Sequence, residues 1–445
     1  MRCGACEIVI TPPLGSEIPG QFADRRISEV KDELYVKAVA IESGGETLLL
    51  VVVDALFVLA TETERIRQRI HTFTEVAPER VMVSATHTHT GPPIWPGQDE
   101  AYLAELVRKS ADAAILAYRR LRPARIGFGA GREADIAFNR RFRMKDGTVQ
   151  TNPGYGNPLL LKPEGPADPE VLVARIDDEE GRPLAVITNF ACHPDTVGGT
   201  EACGDYPGSL SRCLKLALGA QTVSLFVQGA SGNVNHRDFL RPCPVAADHY
   251  DKMGKILAGE VLRVREKITM PGDGQPLPLG AARSRFPLVY RQATEDEAAE
   301  ARQTLQSPDA RPIERILAER LLQTMENPVR EAEMEIQAFR IGELAVAGLP
   351  GELFAELGLR LKAGAPYAGL IVNTICNGTN TGYVGTREAY ANGGYEMRLR
   401  NFSRNAPGTG ELFVDKALEL LRQLRQTRDS NNETKGCDKH DNSRT

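Results

Sequence analysis

The run Thr47–Asp54, TLLLVVVD, is apolar at consecutive positions, and Arg80–Ala85, Pro183–Phe190 and Thr222–Gln228 share that character. Side chains alternate faces along a strand, so a strand apolar on both parities must have both faces covered. Leu34–Glu42, Arg125–Gly129, Val171–Ile176, Glu335–Ile341 and Leu344–Ala347 are further strand-like runs. Helical periodicity lies between them, most clearly over Ala101–Leu121, and again over Ala247–Ile268 and Glu411–Gln426. Thr294-Glu295-Asp296-Glu297 has capping-box spacing and opens a polar helical pair over roughly 294–326, broken near Ser307-Pro308. The alternation predicts the α/β class, with a mixed β-sheet core flanked by helices in a single large domain over residues 1–426. The Pro- and Gly-rich stretch 265–290 reads as an insertion within it. The tail 427–445 is polar, lacks apolar periodicity and is expected to be disordered.

Composition narrows the function. A formal net charge of −5 over 445 residues creates no global field for nucleic acid or anionic lipid. No basic stripe with interleaved aromatics is present, which argues against nucleic-acid binding. The longest apolar stretch, 48–60, is interrupted by Asp54 and is too short to cross a bilayer. The N-terminus MRCGACEIVITPP reads as a first strand rather than an export signal, so a cytoplasmic location is expected. Cys3-Gly4-Ala5-Cys6 has no second CxxC to answer it and is read as two small apolar residues of a strand.

Chemistry concentrates where apolar runs end. Residues 84–92 read SATHTHTGP, placing His87 and His89 at i, i+2 beyond a strand. In an extended chain both would point the same way, and strand ends are where α/β proteins gather ligand groups. ITNFACHPDT (187–196) repeats the grammar with His193, and Asp205 opens the helix that follows. FVQGASGNVNHR (226–237) breaks from a strand into small residues that let backbone approach a ligand. In AGLPGELFAELG, Glu352 is expected to begin a helix, as a cap or as a rigidly held ligand. Tyr383, Tyr390 and Tyr395 lie on a glycine-rich segment suited to a pocket wall. Phe57, Val58, Ile94, Trp95, Phe138 and Phe142 fit either an acyl pocket or ordinary packing. Distant histidines and a carboxylate, without paired cysteines, suit a catalytic rather than a structural metal site.

Together these pieces resemble the catalytic domain of the neutral/alkaline non-lysosomal ceramidases. SATHTHTGP, NFACHPDT with GDYPG, FVQGASGN, LPGELFAELG and GYVGTREAYANGGYE occur in that family's order, across most of residues 1–425. The resemblance implies a zinc amidase in which His87, His193, Glu352 and Tyr383 ligate Zn²⁺. It implies that His89 is a non-ligand acting beside the metal and that Tyr395 steadies the substrate carbonyl. It also implies that Arg140 or Arg141 enters the site. Asn235 stands where the family carries a serine, so no serine-dependent step is expected there, and Asn235 is left as a site residue able to hydrogen-bond substrate. The family's C-terminal immunoglobulin-like domain is expected to be absent. The function so implied is zinc-dependent hydrolysis of a linear amide in a small-molecule or lipid-like N-acyl substrate. The alternatives are a zinc esterase or deacetylase for a small soluble substrate, and an inactive metal-binding pseudo-enzyme, suggested by the missing serine.

Overall fold

The computed structural model describes all residues except 242–245, 247, 272–275, 379–380, 401 and 438–445, and leaves the side chains of 427–437 undescribed. Eight strands form one sheet: Arg2–Val9 (β1), Tyr35–Ser43 (β2), Glu46–Val53 (β3), Val81–Ala85 (β4), Arg122–Arg132 (β5), Glu170–Asp178 (β6), Pro183–Phe190 (β7) and Val223–Gln228 (β8). Their order is β8-β7-β6-β5-β1-β2-β3-β4. The outer pairs β7–β8 and β3–β4 are parallel and the rest antiparallel, so the sheet is mixed as expected. A second sheet, not separated from the first by the sequence reading, comprises Leu279–Val289 (β9), Glu331–Ile341 (β10), Leu344–Gly348 (β11) and Gly369–Asn373 (β12), in that order.

The two sheets pack face to face, which explains the strands apolar on both parities. In β3, Leu48, Leu50 and Val52 join Phe339, Ile341, Val346 and Ile371 between the sheets. The alternate residues Leu49, Val51 and Val53 face outward against the helices Ala60–Thr74 (α1) and Glu100–Arg119 (α2). Asp205–Leu218 (α3) and His249–Lys267 (α4) cover the other half of the same face. Ala355–Gly364 (α7) and Thr409–Cys437 (α9) cover the second sheet through Leu357, Leu361, Phe413 and Leu421. The result is a four-layer α/β/β/α stack. Helix α9 runs past Thr427; of the tail expected from there, residues 438–445 lie outside the described residues.

The polar pair is present as Glu295–Gln306 (α5) and Pro312–Glu326 (α6), with Arg387–Asn392 (α8) following later in the chain. Thr294 and Glu297 form the expected capping box, the Glu297 amide donating to Thr294 Oγ1 over 3.2 Å. Cys3 and Cys6 are buried thiols within β1. Among the described residues no helix is long and apolar enough to cross a membrane.

A short segment after β12 ties the far edges of the eight-stranded sheet together. The Thr374 amide donates to Gln228 O on β8 over 2.9 Å. Within the next three residues, the Ala85 amide donates to Ile375 O over 3.2 Å and the Asn377 amide to Val83 O over 2.7 Å, with Ala85 and Val83 both on β4. The ends of β4, β7, β8 and β11 are thereby brought to one place.

Candidate metal centre

His87 and His89 follow β4, His193 follows β7, and Glu352 follows β11. Each therefore leaves the carboxyl end of a strand that belongs to a parallel pair. The chain does not stay extended after β4: His87 has φ +71°, a left-handed conformation costly for a non-glycine residue. The turn still directs both imidazoles inward. Ring centroids lie 5.0 Å apart for His87–His89, 4.7 Å for His87–His193 and 5.1 Å for His89–His193. Glu352 Oε2 lies 3.5 Å from His87 Nε2 and 3.7 Å from His193 Nε2.

Each imidazole is oriented by a main-chain carbonyl. Nδ1 of His87 contacts Leu56 O at 2.9 Å, that of His89 contacts Gly20 O at 2.8 Å, and that of His193 contacts Ser231 O at 3.2 Å. A carbonyl only accepts, so Nδ1 is the donor to it and Nε2 is left for the cluster. Nε2 of His87, Nε2 of His89 and Oε2 of Glu352 are buried without a hydrogen-bond partner among the described residues. Orphaned polar atoms in native interiors call for an explanation. One nitrogen from each of the three histidines falls within 4.8 Å of the others, so the cluster could hold a metal ion.

The electrostatics favour this use. Burial, with His87 beside it, pushes His89 down to about 3. Burial, with Arg140 and the other two imidazoles, holds His193 well below its ordinary value. Burial alone would raise Glu352, but His87 and Arg140 outweigh it and keep the carboxyl below its usual range. Tyr383 and Tyr395 are pushed up by burial and stay protonated. Imidazole nitrogens with an ionised carboxylate suit a borderline divalent metal such as Zn²⁺ better than Mg²⁺ or Ca²⁺.

Glu352 does not begin a helix as expected. Glu352-Leu353 forms a two-residue parallel bridge with Tyr383-Val384, and α7 starts at Ala355, whose amide donates to Asn233 Oδ1 over 2.8 Å. The bridge sets the carboxylate beside Tyr383. Gly232 is packed against the same backbone: a Cβ there would stand 2.2 Å from Glu352 O. Its carbonyl accepts from Arg140 Nη2 over 2.8 Å. Gly232→Ala is therefore expected to displace Glu352 and Arg140 together, lowering kcat/KM about 100-fold, the scale of a 1 Å misplacement. Unchanged kinetics in the folded variant would show that this contact does not set the site.

The other expected site residues are placed as follows. Tyr395 lies 5.9 Å from Tyr383, ring centre to ring centre, and both border the cluster. Tyr390 is not with them; its hydroxyl donates to Asn405 O over 2.8 Å. Arg140 and Arg141 share Glu396 but face different ways. Arg140 lies over the Tyr383 ring at 5.3 Å and lines the chamber that holds His193. Arg141 turns to Glu164 and the Phe354 ring. Asn235 is buried, its amide donating to Asn152 Oδ1 over 2.9 Å, and it lines neither cavity described next. Asp205 reaches back to the amides of Thr196 and Val197 and fixes the loop behind His193.

Two cavities meet at the cluster. One, of about 480 Å³, is lined by Phe22, Leu56, Phe57, Trp95 and Phe402 and by the open sides of His87 and Tyr395. The other, of about 750 Å³, is more polar and reaches His193, Asp195, Arg140 and Thr151. His89, Tyr383 and Tyr395 border both. Of the six candidate pocket aromatics and aliphatics, Phe57 and Trp95 line the first cavity, whereas Phe142 packs on Phe239 away from it.

Outside the cluster, His236 is buried with both ring nitrogens unpartnered among the described residues, and burial with His249 nearby pushes it down to about 3. The unfolded chain takes up this proton near pH 6.5 and the folded chain does not, so stability is lost as pH falls from about 6.5 towards 3. His236→Gln should therefore gain on the parent protein by about 3 kcal/mol between pH 7 and pH 4, read from urea midpoints. A stability difference independent of pH would contradict this.

No family model matches the sequence, and no curated protein matches it. Solved structures do. A neutral ceramidase from Pseudomonas aeruginosa superposes with a TM-score of 0.71 at 20% identity, over 95% of this chain and 74% of that one. A ceramidase complexed with C2 gives 0.70 at 18% identity, over 96% of this chain and 75% of that one. The fold implied by the sequence resemblance is thus the fold found.

Proposed function

We propose that this chain is a ceramidase-like, zinc-dependent hydrolase that cleaves the linear amide bond of an N-acyl compound. The observation that carries the reading is the convergence of three imidazole nitrogens and a carboxylate on one buried point, in a fold shared with ceramidases. In this reading His87, His193, Glu352 and Tyr383 hold the metal. Bound there, zinc would supply a water of lowered pKa and an electrophile for the carbonyl oxygen.

The chain's own groups account for the rest. Tyr395 presents a protonated phenol to the cavity and donates to the carbonyl oxygen as negative charge develops. Arg140, held in place by Glu396 and Gly232 O, adds a fixed positive charge on the same side. His89 borders both cavities, and its Nε2 is the free base that can pass a proton to the leaving amine. Asn235 has no ionisable proton and is turned to Asn152, so it takes no covalent part.

The experiment is a panel of chromogenic N-acyl amides and matched esters, run on zinc-loaded and chelated protein. Amide turnover that chelation removes and zinc restores supports the proposal. Turnover of esters alone makes the protein an esterase, and zinc binding without turnover makes it a metal-binding pseudo-enzyme.

A further inference from the structure

The aromatic cavity contains positive charge that the amide chemistry above does not use. Arg320, on α6, lines the cavity and contacts the Phe22 and Phe402 rings at 5.0 and 5.1 Å. Among the described residues it makes no ion pair. Behind the cavity wall lies Arg400, fully buried and 4.4 Å from the Tyr395 ring centre, with the Tyr383 ring at 5.3 Å and Phe402 at 5.1 Å. Nη1 of Arg400 donates to Tyr395 O over 3.2 Å, while Nε and Nη2 have no partner among the described residues.

Burying a guanidinium is costly unless polar groups answer it, best of all a carboxylate or phosphate; Arg25, on the same cavity, donates to the carbonyls of Pro19, His89 and Gly199, and three other buried arginines have acids. Arg67 has Glu335, Arg141 has Glu164 and Glu396, and Arg265 has Asp177. Among the described residues Arg400 and Arg320 meet no carboxylate: Arg320 has aromatic faces, and Arg400 has aromatic faces and the Tyr395 carbonyl. The acids that line the same cavity are otherwise placed: Glu17 pairs with Arg26, Glu352 faces the imidazoles, and Asp24 is exposed. Burial and the like charge of Arg400 push the Arg320 guanidinium down, the sign of a cation lacking its counter-ion.

We infer that the substrate carries a carboxylate on the half that enters the aromatic cavity, bound by Arg320 with the buried charge of Arg400 behind it. The apolar lining then takes the body of that half, and the guanidinium fork offers the planar two-point contact a carboxylate fits. The inference rests on the amide-hydrolase reading and narrows its substrates to N-acyl compounds bearing an acid group. A carboxylate could sit on the amine side or on the acyl side, so both are tested.

The test compares kcat/KM of the zinc-loaded full chain for two matched pairs. N-acetylphenylalanine against N-acetylphenethylamine places the acid on the amine side. Glutaranilic acid against valeranilide places it on the acyl side. One pair is expected to favour the acid by about 10²-fold, with most of that ratio lost in Arg320→Met. Ratios near one in both pairs, or a preference that survives both Arg320→Met and a folded Arg400→Met, would overturn the inference and leave the hydrolase reading intact. If no compound is turned over, the hydrolase reading has failed instead, and thermal stabilisation decides this one. Stabilisation by an acid but not its neutral partner, lost in Arg320→Met, supports it; equal or absent shifts overturn it.

Discussion

His193→Ala is expected to fold, to retain no divalent metal after gel filtration, and to carry out the proposed amide hydrolysis about 10³–10⁴-fold more slowly than the parent protein. The size follows from the several kcal/mol a bound metal contributes, at 1.36 kcal/mol per tenfold in rate. Folding should survive because the ring is spent on the cluster: outside it, its one hydrogen bond among the described residues is from Nδ1 to Ser231 O. The companion variant His89→Gln separates ligand from proton carrier. If His89 works beside the metal, the variant keeps its zinc and loses about 10²–10⁴-fold in rate, the range of a general acid–base group. Loss of zinc from His89→Gln would instead make His89 a ligand, which the geometry of three converging imidazoles also permits. Full activity in His193→Ala would sink the metal-centre assignment.

Arg67→Met is expected to destabilise the protein by about 3–5 kcal/mol, the cost of removing one partner of a buried ion pair. Arg67, on α1, is 1% exposed and reaches through the molecule to β10, where Nη2 meets Glu335 Oε1 at 2.7 Å. It also donates to Val81 O over 3.0 Å and to Asn377 Oδ1 over 2.9 Å. Burial would lift the Glu335 carboxyl, but Arg67 and Arg285 outweigh it and hold it down. Removing Arg67 therefore leaves a buried carboxylate and an amide short of partners at the junction of the two sheets. The reading is a drop in the urea midpoint at constant m. Adding Glu335→Met should recover part of the loss, since the second change removes a buried carboxylate left with Arg285 and the more distant Arg283. A shift below about 1 kcal/mol for Arg67→Met would mean that water replaces the network.

Much of this was legible in the chain. Thr47–Asp54 showed that both its faces are covered, because Leu50 and Val51 must each find an apolar neighbour. It did not show that one neighbour is a second sheet, since periodicity reports burial and not the identity of the covering layer. His87, His89 and His193 stood out because histidines are scarce in this sequence and follow strand ends. Glu352 was seen as a helix start, because Pro-Gly-Glu before an apolar periodic run imitates one; its pairing with Tyr383 depends on residues far apart in sequence. Arg320 and Arg400 were missed. No motif marks them, and their significance lies in what they lack. The one hint was YEMRLRNFSRN, where arginines alternate with aromatic and apolar residues and acids are sparse.

The tie between β8 and β4 through Thr374–Asn377 has a kinetic meaning. The three imidazoles and Glu352 come from segments that meet only when the last strand of the second sheet has docked and gripped both edges of the first. Contacts so distant along the chain form late, because loop-closure entropy opposes them until most of the core is in place. Capture of a metal ion would thus coincide with completion of the native state, and the apo chain would have no partly folded form able to scavenge ions. Zinc uptake after dilution from denaturant would then serve as a clock for the final folding step.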